Sequence, residues 1–152
     1  MRFSTVGVLS VAATATLVSC ASLKIENVDY GWPVESVVTV GEDNMVLDKR
    51  YSITFPTSAL AMEEFENPDA LKGSKLRVIR NAQGYYFVTG PKFRHVYVFG
   101  PGEGTLSQEE KILVSETGLK DPALNNRPPN VELVDGDAFT KILTSSGVLE
   151  GK

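Results

Sequence analysis

The sequence predicts a small α+β domain dominated by antiparallel strands, with two or three short helices. Three observations predict it. Residues 75–99 carry runs of β-branched and aromatic residues separated only by short loops, and residues 34–55 alternate strand-like runs with turn clusters. The helical signals are brief, each bounded by Gly or Pro within about three turns.

Val34 to Val40 (VESVVTV) reads as a strand that stops at the turn cluster Gly41-Glu42-Asp43-Asn44. Met45 to Leu47 and Tyr51 to Phe55 resume with strand composition, which predicts a hairpin ended by Pro56. Thr57 to Phe65 is expected as a helix: Thr57 or Ser58 can cap it, Ala and Leu follow, and Asn67-Pro68 closes it. Leu76 to Arg80, Tyr85 to Thr89 and Phe93 to Phe99 then form a three-stranded meander, joined by Asn81-Ala82-Gln83-Gly84 and Gly90-Pro91-Lys92. A second helix is expected from the capping box Ser107-Gln108-Glu109-Glu110, with Ile112 and Leu113 on its apolar stripe and Gly118 as its stop. Asp121 to Asn130, with Pro122, Pro128 and Pro129, reads as an irregular connector, and Val131 to Val134 as a strand. Asp137 can cap a last helix in which Phe139, Ile142 and Leu143 share a face before Gly147. The competing reading makes Asp135-Gly136-Asp137 a hairpin turn.

Within the meander, pairing Arg80 with Tyr85 and Thr89 with Phe93 sorts the side chains. One face collects Leu76, Val78, Arg80, Tyr85, Phe87, Thr89, Phe93, His95, Tyr97 and Phe99. The other carries Lys75, Arg77, Ile79, Tyr86, Val88, Arg94, Val96 and Val98. A one-residue slip would exchange the faces of a strand.

No catalytic motif stands out, so no catalytic residue, cofactor or metal site is assigned. His95 is the sole histidine, which leaves a triad a single base, and no G-x-S-x-G element accompanies it. Asp135 and Asp137 lack the fuller calcium-loop spacing and read as capping or turn residues. Gly100-Pro101-Gly102-Glu103-Gly104 resembles a phosphate loop only in glycine content. Glu63, Glu64 and Glu66 read as a charged helix face.

Charge is unevenly spread. Residues 70–102 hold six Lys or Arg (72, 75, 77, 80, 92 and 94) and no acid, whereas residues 42–69 hold seven acids and two bases. Lys75, Arg77 and Arg94 would share a sheet face able to meet an anionic partner. The plainer account pairs these cations with the acidic segment of the same fold, or leaves them in solvent.

The first twenty residues set the compartment. Arg2 precedes about a dozen uncharged apolar or small residues, Val6 to Val18, too few to span a bilayer needing roughly 20. The run ends Leu17-Val18-Ser19-Cys20. This leader resembles a bacterial lipoprotein signal peptide closing on a lipobox. The resemblance implies cleavage before Cys20, a thioether to diacylglycerol, and acylation sufficient for stable anchoring. An ordinary cleavable leader cut before Ala21 is the alternative. The chain then divides into a signal peptide over 1–19, a lipidated tether over 20–30 and one globular domain over 31–152. Ala21, in place of the Asp that marks inner-membrane retention in enteric bacteria, favours the outer membrane facing the periplasm over the inner membrane.

Cys20 is the only cysteine, so the domain is expected to use neither disulfide nor thiolate metal chemistry. Removing residues 1–19 takes away Arg2 and no acid, so 14 Lys and Arg face 19 Asp and Glu, a formal charge of −5. That acidity argues against nucleic acid as partner. The expectation is a lipid-anchored envelope module, non-catalytic, held on the membrane through Cys20 and touching an envelope protein or the cell wall. The alternative is a small periplasmic hydrolase or ligand-binding domain with a pocket around His95.

Overall fold

Strand pairing dominates residues 34–102 and 104–149, the part of the chain that the computed structural model describes. These residues hold eleven strands and one helix. The order is β1 (Ser36–Thr39), β2 (Met45–Asp48), β3 (Ile53–Pro56), α1 (Ser58–Phe65), β4 (Lys75–Arg80), β5 (Tyr86–Thr89) and β6 (His95–Pro101). Then come β7 (Leu106–Leu113), β8 (Pro122–Arg127), β9 (Asn130–Asp135), β10 (Phe139–Thr144) and β11 (Gly147–Leu149). The expected β-rich domain is present, but with one helix among the described residues rather than two or three. The leader, Cys20 and the tether lie outside the described residues.

A five-stranded antiparallel sheet runs β1-β4-β5-β6-β7, and a four-stranded sheet runs β11-β10-β9-β8. The β2–β3 hairpin and α1 cover one face of the first sheet: Tyr51 meets Tyr86 edge-on at 5.5 Å, and the Tyr97 hydroxyl donates to Glu64 of α1. The four-stranded sheet covers the other face. Its Leu124 N–H donates to Glu35, whose second oxygen holds Arg77 of β4, and its Lys141 Nζ donates to the Val114 carbonyl just beyond β7. The buried apolar residues of both sheets belong to one cluster.

The hairpin and the first helix follow the sequence reading, although Thr57 makes no side-chain cap; its hydroxyl donates to the Asn44 carbonyl instead. The meander is present in a different register. Arg80 pairs with Tyr86, not Tyr85, because Asn81 closes a longer turn: its Oδ1 accepts the Gln83 and Tyr85 N–H groups. Val88 pairs with Tyr97, which sets Thr89 level with Val96 rather than Phe93. The cause is a turn in which the Phe93 N–H donates to the Gly90 carbonyl and Lys92 takes φ +70°. Phe87 and Thr89 therefore join Lys75, Arg77, Ile79, Val96 and Val98 on the face toward the second sheet. Tyr86 and Val88 move to the face with Leu76, Val78, His95, Tyr97 and Phe99. Phe93 and Arg94 precede β6 and belong to neither strand face.

Two expected helices are strands. The capping-box segment pairs along β6 as β7, with an irregularity between Val98 and Phe99 that leaves Glu109 without an opposite residue. Gly100 makes room for it, since a Cβ there would lie 2.8 Å from the Glu109 side chain. Pairing with β6 outweighs a local capping signal worth about 1 kcal/mol. Asp135-Gly136-Asp137 is the hairpin turn of the competing reading, and Phe139–Thr144 is β10. The predicted connector is largely β8, with Pro122 as its first residue on an edge strand where no ladder N–H is needed.

Candidate functional site

Helix α1 lies between two clefts on the first sheet's outer face. Near its start is an apolar cleft of about 230 Å³, walled by Phe55 and Ile53 of β3, Leu60 of α1, and Val88, Phe99 and Leu106 of β5, β6 and β7. No charged residue lines it. It adjoins a wider opening that shares Ile53, Phe55, Tyr86 and Leu106 and reaches Arg80, whose guanidinium stands 5.7 Å from the Tyr86 ring centroid.

The second cleft, about 490 Å³, opens beside the end of α1. Phe65, Leu71, Leu76 and Phe93 form its apolar floor, with Lys75 and Lys92 as its charged lining. Phe65 meets Phe93 edge-on at 5.6 Å, and Phe93 meets Tyr97 at 6.1 Å, so the floor is continuous with the core. Gly118 holds a loop against the rim: with φ +88°, its missing Cβ would sit 2.8 Å from the Lys92 carbonyl oxygen.

Between the clefts Glu64 ties α1 to β6. Its carboxylate has a side-chain exposure of 1 %. One oxygen takes the His95 Nδ1 at 2.7 Å and the Tyr97 hydroxyl at 2.9 Å, and the other takes the Arg94 N–H at 2.9 Å. Burial, then the hydrogen bond to Glu64, pushes the Tyr97 hydroxyl well above its ordinary value, so it stays a donor. Neighbouring Lys111 reaches Glu63 at 2.9 Å and lies 5.6 Å from the Tyr97 ring centroid.

The sequence reading placed the three glutamates together on a charged helix face, whereas the Glu64 carboxylate is buried and fully engaged. His95 has the carboxylate partner of a triad base, but no Ser, Thr or Cys side chain among the described residues hydrogen-bonds its ring. It lines none of the three cavities described here.

The predicted cations do not act alike. Arg77 is drawn into the fold by Glu35 at 2.6 Å and lies 3.9 Å from Asp121. Lys75 lies two residues before it on the same strand face and lines the second cleft. Arg94 is exposed beside the β5–β6 turn, and its backbone serves Glu64. The residue missed was Lys92, which sat in the acid-free stretch without an assigned strand position. Asp135 is a loop clamp: its carboxylate accepts the N–H groups of Lys120 and Asp121 at 2.9 and 2.7 Å. Gly102 and Thr105 close the β6–β7 connection through a 2.8 Å backbone hydrogen bond. Among the described residues no helix is long and apolar enough to cross a membrane.

No protein-family model, curated protein or solved structure gives a significant match to the chain.

Proposed function

We propose that this protein is a lipid-anchored module of the bacterial cell envelope, held by Cys20 and working by contact rather than catalysis. The observation that carries the reading is Leu17-Val18-Ser19-Cys20 at the end of an uncharged leader. The favoured site is the outer membrane facing the periplasm, with an envelope protein or the cell wall as partner. The apolar cleft beside β3 supports a contact role. It offers half-buried Phe55, Phe99 and Leu106 to an apolar segment of a partner, with no charge to desolvate. His95 supports the same reading, since its ring is engaged by a buried carboxylate that also fastens the helix.

Metabolic labelling with an alkyne-tagged fatty acid in a bacterial host tests the anchor. The wild-type chain is expected to carry label and to sediment with membranes, and Cys20→Ser to lose the label completely. A labelled Cys20→Ser chain would overturn the reading. Density-gradient separation of the two membranes then distinguishes outer from inner placement.

A further inference from the structure

We infer that the Lys75–Lys92 cleft docks the anionic lipid headgroups of a bilayer surface, giving the protein a second membrane contact. The inference rests on the lipid-anchored reading, because the anchor is what would bring this cleft to a membrane.

Charge complementarity points to this occupant. The chain as a whole is acidic, with a formal charge of −4, so a random face would be repelled by an anionic bilayer. Lys75 and Lys92 are exposed, and neither makes an ion pair with a described residue. They line one cleft without an acidic neighbour in its wall. Two acids near this end are engaged elsewhere, whereas Glu66, the C-cap of α1, is exposed and lies outside the cleft wall. Asp69 holds Lys72 at 3.1 Å and Asn44 at 2.7 Å, and Glu64 is shared by His95, Tyr97 and the Arg94 backbone. Exposed Arg94 extends the positive charge beyond the turn.

The cleft floor fits the same occupant. A bare anion needs only donors, yet the two lysines share the cleft lining with Phe65, Leu71, Leu76 and Phe93. An amphiphile whose phosphate meets the lysines and whose apolar part lies on that floor uses both features. Lysine suits such a surface, since its compact charge sits on a flexible stem that can follow mobile headgroups.

Vesicle co-sedimentation of the full chain tests this, in a Cys20→Ser background so that no lipid is attached. Vesicles of phosphatidylcholine alone are compared with equimolar phosphatidylcholine and phosphatidylglycerol. Lys75→Glu and Lys92→Glu are compared with Lys49→Glu, a charge-matched change in the β2–β3 turn. All chains carry the same leader, so its contribution cancels between variants. The parent is expected to prefer anionic vesicles. Each cleft variant should lower that preference roughly tenfold, and Lys49→Glu by less than about twofold. Equal losses in all three would show that net charge alone acts, and no preference in the parent would remove the site. Inorganic phosphate is expected to compete no better than chloride at matched ionic strength; stronger competition would make this a free-phosphate site and overturn the bilayer assignment. Circular dichroism of each variant confirms that the fold is kept. Because this experiment uses unlipidated protein, its failure leaves the Cys20 labelling result standing, and the reverse also holds.

Discussion

The two faces of the five-stranded sheet are covered in different ways, and the difference explains where this molecule has clefts. On one face Ile79, Phe87, Val96 and Val98 are fully buried beneath a second sheet of four strands. On the other, an eight-residue helix and a two-stranded hairpin lie over the same five strands. One short helix, about 12 Å long by its rise per residue, is too small to cover a surface of five strands about 5 Å apart. The uncovered margins are the clefts at either end of α1. Sheet on sheet closes a surface; helix and hairpin on sheet leave it open for contact.

The largest expected effect is on the closed face. Phe87→Ala removes a ring with no exposure from between the two sheets and should cost about 3–5 kcal/mol in urea unfolding. Phe55→Ala, in the wall of the apolar cleft, should cost roughly half as much because its ring already meets solvent. Equal losses would mean that the hairpin seals its face as tightly as the second sheet does.

A smaller effect is expected where the helix is fastened. Glu64→Ala strands the Tyr97 hydroxyl, the Arg94 N–H and the His95 ring, and should cost about 2–3 kcal/mol. Glu64→Gln keeps an acceptor at one of the two positions and puts an NH₂ donor at the other, so it should recover only part of that loss. Should both variants match wild type in unfolding, packing by Leu60 and Phe65 would hold α1 without the carboxylate.

These contrasts also show what was legible in the sequence. The β2–β3 hairpin, α1 and the strands around Val78, Phe87 and Tyr97 were readable because composition and punctuation agreed over residues 34–99. Register was not, because it depends on two turns. Asn81 adds a residue to one through its side chain, and Lys92 bends the other through a positive φ that lysine rarely adopts. The last third misled for a different reason. Ser107-Gln108-Glu109-Glu110 and Asp137 carry genuine local helix-start chemistry, but long-range pairing with β6 and β9 decides their fate. Of the candidate cations, Lys75 was found by charge counting. Arg77 could not be set apart from it, because its partner Glu35 lies 42 residues away in sequence.

Glu35 provides the smallest and most discriminating expected effect, since it sits where the closed face meets its margin. Two attractions act on its carboxylate, the Leu124 N–H at 2.7 Å and Arg77 at 2.6 Å. Burial outweighs them and holds its pKa above the ordinary 4.5. A carboxyl raised by folding binds its proton more tightly in the folded chain than in the unfolded one. Its favourable contribution is therefore full below 4.5 and is lost as pH climbs through the raised value. Glu35→Gln removes that titration while leaving the other carboxylates to act alike in both chains. The stability of wild type relative to Glu35→Gln, from urea midpoints across the acid range, should thus fall as pH rises toward neutral. A relative stability that instead grows with pH would mean that Arg77 more than repays the burial of this charge. The closed face would then gain from its ion pair, rather than tolerate it.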